Sequence, residues 1–268
     1  MKLSFTTLSC PGLSFEKVLD IAQEEGYEGI ELRGIQDELD NTRLAPLQQG
    51  RLEATMADMT RRGLAFCCMD TSVNFHEPDR WPAYQQEAEG NIRLAHETGA
   101  PYIRVFGDRF LPGENHEAAY DRVARGLCLL GDLAGSQGVK VLLETHGEFA
   151  SGRHARAIMQ RANHPAVGVL WDVHHPYKYA GEALSYTLDA IRPWLFHVHL
   201  KDSKGPWATH RLTVPGRGDL PLKEAVHRLW LSGYDGWLSL EHELRWHPEI
   251  EPAREALHGY AQLVRQWI

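Results

Sequence analysis

The sequence holds little cysteine, and what it has is not arranged for chemistry. Its four cysteines, Cys10, Cys67, Cys68 and Cys128, include no C-x-x-C spacing. Their mostly apolar surroundings suit reduced core thiols better than a zinc–cysteine or redox centre. Positive charge is also scarce. Lys and Arg number 28 against 36 Asp and Glu, a formal net charge of −8, whereas non-specific nucleic-acid affinity comes from clusters of basic side chains. A nucleic-acid partner is therefore not expected. No apolar run reaches the roughly 18 residues of a membrane span, and Met1–Pro11 is broken by polar residues where a secretory signal would be apolar. These two absences lead to the expectation of a cytoplasmic protein without membrane contact. No linker rich in proline, serine or glycine and no block of like charge divides the chain, so one domain is expected over residues 1–268.

What the chain does have is a regular alternation. Strand candidates stand at Lys2–Leu8, Gly29–Arg33, Ala65–Met69, Tyr102–Phe106, Lys140–Glu144, Val167–Trp171, Leu195–Leu200 and Gly236–Glu241. Segments of helical periodicity lie between and after them: Phe15–Ala22 with Ser14 as N-cap, Pro46–Arg62, Tyr84–Thr98, His116–Gln137, His154–Ala162, Ala183–Ile191, Pro221–Leu231 and Glu251–Trp267. Gly26, Gly63, Gly99, Gly138 and Gly233 stop several of the helices. Strand–helix units repeated without a break are the pattern of parallel βαβ structure. A chain of this length fits one closed (β/α)8 TIM barrel, which takes about 250 residues.

One stretch, Val167-Gly-Val-Leu-Trp-Asp-Val-His-His175, fixes where function should lie. Its apolar start suits a strand buried on both faces, and its polar end, at Asp172, His174 and His175, falls where a barrel opens to small ligands. A simpler reading gives Asp172 the role of helix cap and the histidines places in the core. Other strand ends decide the matter: Glu31 and Arg33, Arg104, Glu144 and His146, His197–Lys201 and Glu241. Period-two alternation puts His197, His199 and Lys201 on one side of their strand, and the outer side must pack on helices. Carboxylates and imidazoles converging on one axis repel and pay for desolvation unless a cation compensates them. Glu144, Asp172, His199 and Glu241 form an oxygen-rich set with one nitrogen, suited to Mn²⁺, Mg²⁺, Co²⁺ or Zn²⁺ with positions open for substrate oxygens.

The endings Leu-Glu144-Thr-His146, Trp-Asp172-Val-His-His175, His197-Val-His199-Leu-Lys-Asp202 and Ser-Leu-Glu241 resemble those of the xylose isomerase-like barrel superfamily of sugar and sugar-phosphate isomerases and epimerases. The resemblance covers essentially the whole chain. It implies that Glu144, Asp172, His199 and Glu241 bind the divalent metal, that His175 contacts substrate, and that Glu144 and Glu241 move the proton. A small-molecule sugar or sugar phosphate is the partner it implies. Lys201 and His175 could then donate to substrate oxygens, His146 could orient one, and Arg104 or Arg33 could hold a phosphate or carboxylate.

Departures narrow the reading. Where ketose 3-epimerases usually carry a further glutamate this chain has Ala150, and where they have an arginine it has Lys204-Gly205-Pro206, with Arg211 or Arg217 as replacements. Endonuclease IV needs extra histidines and an aspartate; Phe106-Gly107-Asp108 contains no histidine, and no D-x-H follows His199. A metal-dependent dehydratase of the inosose or dehydroshikimate type is the nearest alternative, and a sugar-binding barrel without turnover is a third. Ser203–Leu220 is long for a βα loop and is expected to cover substrate. Phe75, His76 and Trp81 are expected to wall the pocket. The oligomeric state, a homo-oligomer included, stays open.

Overall fold

The computed structural model describes residues 1–268. Its main sheet is a closed barrel of parallel strands in the order β1-β10-β7-β6-β5-β4-β3-β2. The strands are β1 Lys2–Thr6, β2 Gly29–Leu32, β3 Ala65–Asn74, β4 Tyr102–Phe106, β5 Lys140–Glu144, β6 Val167–Asp172, β7 Leu195–Leu200 and β10 Trp237–Leu240. Between β7 and β10 a small antiparallel hairpin intervenes, β8 Asp202–Lys204 with β9 Arg211–Thr213. The helices are α1 Phe15–Glu24, α2 Leu52–Arg61, α3 Trp81–Thr98, α4 His116–Gly135, α5 Gly152–Ala162, α6 His174–Lys178, α7 Leu184–Ile191, α8 Leu222–Leu231 and α9 Ala253–Val264. Ser14 caps α1, accepting the Lys17 amide at 3.4 Å. No helix is long and apolar enough to cross a membrane.

The expected barrel is present, with local differences. The helix expected to run from Pro46 to Arg62 is split, because Pro46 sits in a short 3-10 turn, Ala45–Leu47, and α2 starts only at Leu52. Strand β3 runs five residues past Met69, to Asn74. The helix α6 and the β8–β9 hairpin are additions. Helix α6 begins directly at the end of β6, where the Asp172 Oδ1 accepts the amides of His174 at 2.6 Å and His175 at 3.3 Å.

Strand register decides what faces the lumen. Glu144 stands beside Leu170, Asp172 beside His199, and Ser239 beside His199. With period two, one face of these strands carries Glu31, Asp70, Arg104, Glu144, Asp172, His197, His199 and Ser239, all of them buried. The other face carries Ile30, Met69, Ile103, Val105, Val141, Leu143, Val169, Trp171, Val198, Leu200, Leu238 and Leu240. These join the apolar core against the helices. The hydrophobic effect is thus spent between barrel and helices. The lumen is left for charge.

Candidate metal centre

Strands β5, β6, β7 and β10 are neighbours around the barrel, so their C-terminal ends converge. One ligand atom each from Glu144, Asp172, His199 and Glu241 lies within 4.8 Å of the others, and all four residues are buried. Asp172 does two things at once. Its Oδ1 caps α6, and its Oδ2 turns to the lumen with no aligned hydrogen bond.

His199 is oriented from behind. Its Nε2 donates to Glu31 Oε1 at 2.9 Å, while His197 Nε2 and Ser239 Oγ donate to Oε2 at 3.0 and 2.5 Å. Burial disfavours the charged His199 imidazole, but Glu31 and Glu241 outweigh it and hold its pKa well above the ordinary range; with Nε2 fixed on Glu31, Nδ1 is the nitrogen that would give up its proton to a bound ion. That Nδ1 lies 3.4 Å from Glu241 and 3.9 Å from Glu144.

Burial pushes the carboxyls of Glu144 and Asp172 up, against the opposing pull of Arg104 on the first and Lys201 on the second. At Glu241 burial also disfavours the anion, but Lys201 and His199 outweigh it and hold the carboxyl well below the usual range. Glu144 Oε2, Asp172 Oδ2 and His199 Nδ1 are buried without hydrogen-bond partners. Their cationic neighbours stand at ion-pair distance only, Arg104 at 3.2 Å from Glu144 and Lys201 at 2.9 Å from Asp172. Carboxylate oxygens and an imidazole nitrogen buried without hydrogen-bond partners and meeting at one point fit a hard or borderline divalent cation.

A model of the xylose isomerase-like TIM barrel family matches residues 19–263. The chain belongs to that family. It is 26% identical over 255 residues to a 3-dehydroshikimate dehydratase of Pseudomonas putida, covering 90% of this chain and 38% of the relative. To a fructoselysine 3-epimerase of Escherichia coli O157:H7 it is 29% identical over 130 residues, 46% of this chain and 45% of the relative. The chain thus spans less than half the length of either curated relative. Among solved structures, that of the IolI protein with a bound zinc atom superposes with a TM-score of 0.84 at 19% identity, covering 100% of this chain and 98% of the other. At that identity the likeness is one of fold. The relatives are enzymes, dehydratases and epimerases among them.

In this barrel the mouth next to the four-residue cluster is a cavity of about 270 Å³ lined by Leu8, Arg33, Arg104, Phe106, Glu144, His146, Lys201, Glu241, Glu243 and Trp246. Lys201 Nζ sits among Asp172 (2.9 Å), Glu241 (2.6 Å) and Glu243 (2.6 Å). Those three carboxylates outweigh burial and hold its ammonium well above the usual lysine range. Arg104 lies between Asp70 at 3.1 Å and Glu144 at 3.2 Å, so its charge is committed to two acids. His146 bonds Asp108 at 2.9 Å, and its ring centre is 4.2 Å from that of His175. Burial pulls His146 down, but Asp108 and Glu144 more than restore it and its pKa is raised. His175 goes the other way, pushed far down by burial and by the charges of His146 and Lys201.

Two expectations are corrected, and a third gains detail. Phe75 is buried and packs on Trp81 at 5.6 Å, and neither they nor His76 line the cavity; Leu8, Phe106 and Trp246 are its walls. The segment Ser203–Leu220 lies with its Trp207 ring 5.2 Å from that of His175 and is fastened at its base. The buried Asp202 carboxylate accepts amides from Ser203, Gly216, Gly218 and Leu220 at 2.8, 2.8, 2.9 and 3.2 Å, which bolts the hairpin and its return to the end of β7. Arg217 pairs with Glu255 at 2.5 Å and is not at the cavity. Two features gain their roles only from the structure, the bonding of Glu31 to His197 and His199 and the contact of Glu243 with Lys201. Glu31 was visible as a strand-end acid without a partner, and Glu243, two residues beyond Glu241, had a signal in its period-two spacing.

Proposed function

We propose that the chain is a divalent-metal-dependent isomerase or epimerase of a sugar or sugar phosphate, working through an enediolate. The observation that carries this reading is the meeting of Glu144, Asp172, His199 and Glu241 ligand atoms within 4.8 Å, buried at the open end of the barrel. These four side chains would hold the ion. A divalent cation bound there supplies electrostatic stabilisation of negative charge developing on the substrate oxygens.

The protein's own groups do the rest. Glu144 and Glu241 carry the proton, one taking it from the carbon beside the carbonyl and the other returning it. Lys201 donates to a substrate oxygen in exchange for one of its carboxylate partners, and His146, held by Asp108, orients a hydroxyl; His175, expected to touch substrate, does not line the cavity and packs behind His146. Arg104 neutralises Glu144 and Asp70, keeping the acids compatible within one lumen. Leu8, Phe106 and Trp246 exclude water from one wall.

A dehydratase is the second reading, favoured by the relative that aligns over 90% of this chain and by the raised pKa of His146. Expelling a β-hydroxyl needs a proton donor at the leaving oxygen, and a protonated His146 beside the cavity would serve. The test is proton exchange. The metal-loaded protein is incubated in D₂O with ketoses, ketose phosphates and inososes, and carbon-bound deuterium is followed by NMR. Deuterium with the skeleton retained is the expected result; loss of water marks the dehydratase; no exchange on any substrate contradicts both.

A further inference from the structure

One cation of the cavity has no acid to answer it. Arg33, just past the end of β2, is 9% exposed and lines the cavity beside Leu8 and Arg104. Of the five N–H donors of a guanidinium, one on Nη1 reaches the Leu39 carbonyl at 3.3 Å and one on Nη2 reaches Ser72 Oγ at 2.7 Å. The carboxylates whose charge reaches it are engaged elsewhere: Asp70 faces Arg104 at 3.1 Å, and Glu87 accepts the Ser72 amide at 2.6 Å. Lys201 touches three carboxylates and Arg104 two. Arg33 forms no ion pair.

A buried cation without a counter-charge is costly. Burial, with the like charge of Arg104, brings the Arg33 guanidinium down to about 10. Arg245 repeats the situation nearby, next in sequence to the cavity-lining Trp246 and close enough for its charge to act on Arg33. Its side chain reaches only the Gln36 carbonyl, its Nε is buried without a partner, and it lies 5.5 Å from the ring of Trp246, a cavity wall. Two arginines on one side of a small cavity thus wait for an anion, while the acids gather at the cluster.

Resting on the function proposed above, we propose that the substrate carries an anionic group, a carboxylate or a phosphate, which docks on Arg33 with Arg245 nearby. The planar fork of an arginine matches either oxyanion with two parallel hydrogen bonds. The substrate's carbonyl end then points to Glu144 and Glu241 in the same cavity.

Calorimetric titration of the full chain, with and without Mn²⁺, separates the sources: inorganic phosphate in one arm, shikimate, a cyclic polyhydroxy carboxylate, in the other. At least one is expected to bind, about tenfold or more weakly in Arg33→Gln, the scale of a charge-assisted hydrogen bond, and less weakened in Arg33→Lys. The arm that responds names the group. Because Arg33 also braces Leu39 and Ser72, Arg33→Lys decides where Arg33→Gln does not fold: weaker binding supports the site and unchanged binding refutes it. Failure of both anions to bind wild type, or equal binding by Arg33→Gln, overturns the inference. Mn²⁺ affinity is expected to be the same in wild type and variants. An Arg33-dependent anion site in a chain that binds no Mn²⁺ would sink the metal reading alone; deuterium exchange into neutral ketoses, undiminished in Arg33→Gln, would sink the anion site alone.

Discussion

His199 is held from one side and open on the other, and that asymmetry is the work of a residue on the far side of the sequence. Glu31, 168 positions earlier, accepts the hydrogen bond from Nε2 and leaves Nδ1 facing Glu241 and Glu144. Glu31→Gln is therefore expected to lower Mn²⁺ affinity about 10- to 100-fold, the usual effect of losing a carboxylate that orients a ligating histidine, while the far-ultraviolet dichroism stays that of the wild type. Unchanged affinity in a folded variant would refute the orienting role. The four cluster residues were legible in the sequence because each ends a strand and the strands recur at the interval of a βα unit. Glu31 was not, since pairing across the lumen depends on barrel closure and on a register shift between Ile30 and Glu31, neither of which leaves a local signal.

Elements set the limits of the site as much as residues do. The start of the β8–β9 hairpin and the residues after it are gathered by one buried carboxylate, Asp202, which fills its acceptors with backbone amides, while His174 and Lys178 of α6 add bonds to Ser203 and Gly205. Gly218 cannot carry a side chain there, as a Cβ would stand 2.0 Å from Asp202 Oδ1. Asp202→Ala strands those amides, and the expected cost is about 1–3 kcal/mol, the penalty of leaving buried donors unpaired. Chemical denaturation checks it, with hydrogen exchange at Gly216, Gly218 and Leu220 expected to rise; protection equal to wild type would show that other contacts hold the hairpin. The sequence displayed the length of this segment and its glycines and prolines, which read as a cover. It did not display that Asp202 faces inward to fasten them. Strands and helices with strong periodicity, such as β5 and α5, were readable to within a few residues, whereas Pro46 divided a helix that periodicity alone had joined.

For the whole molecule the physical economy is a division of labour between the two faces of one sheet. The outer face buries aliphatic side chains and stabilises the barrel; the inner face collects acids, histidines, Arg104 and Lys201, charges that would be destabilising if left to themselves. The sequence revealed this division because apolar and polar residues alternate along β7 and at the ends of β5, β6 and β10. The cavity wall was harder, since Leu8 lies in a 3-10 turn that ends β1 earlier than periodicity suggests and Trp246 comes from a loop whose course no periodicity dictates. Binding of an ion to the folded state alone adds stability by mass action, about 2.7 kcal/mol at a hundredfold excess over Kd. The measurement that bears most directly on the account is the metal content and calorimetric Mn²⁺ titration of the full chain beside its Asp172→Ala and Glu241→Ala variants. One ion per wild-type chain, with site affinity lost in both folded variants, is the predicted result. No stoichiometric ion in the wild type, or an equal affinity in the variants, would contradict it.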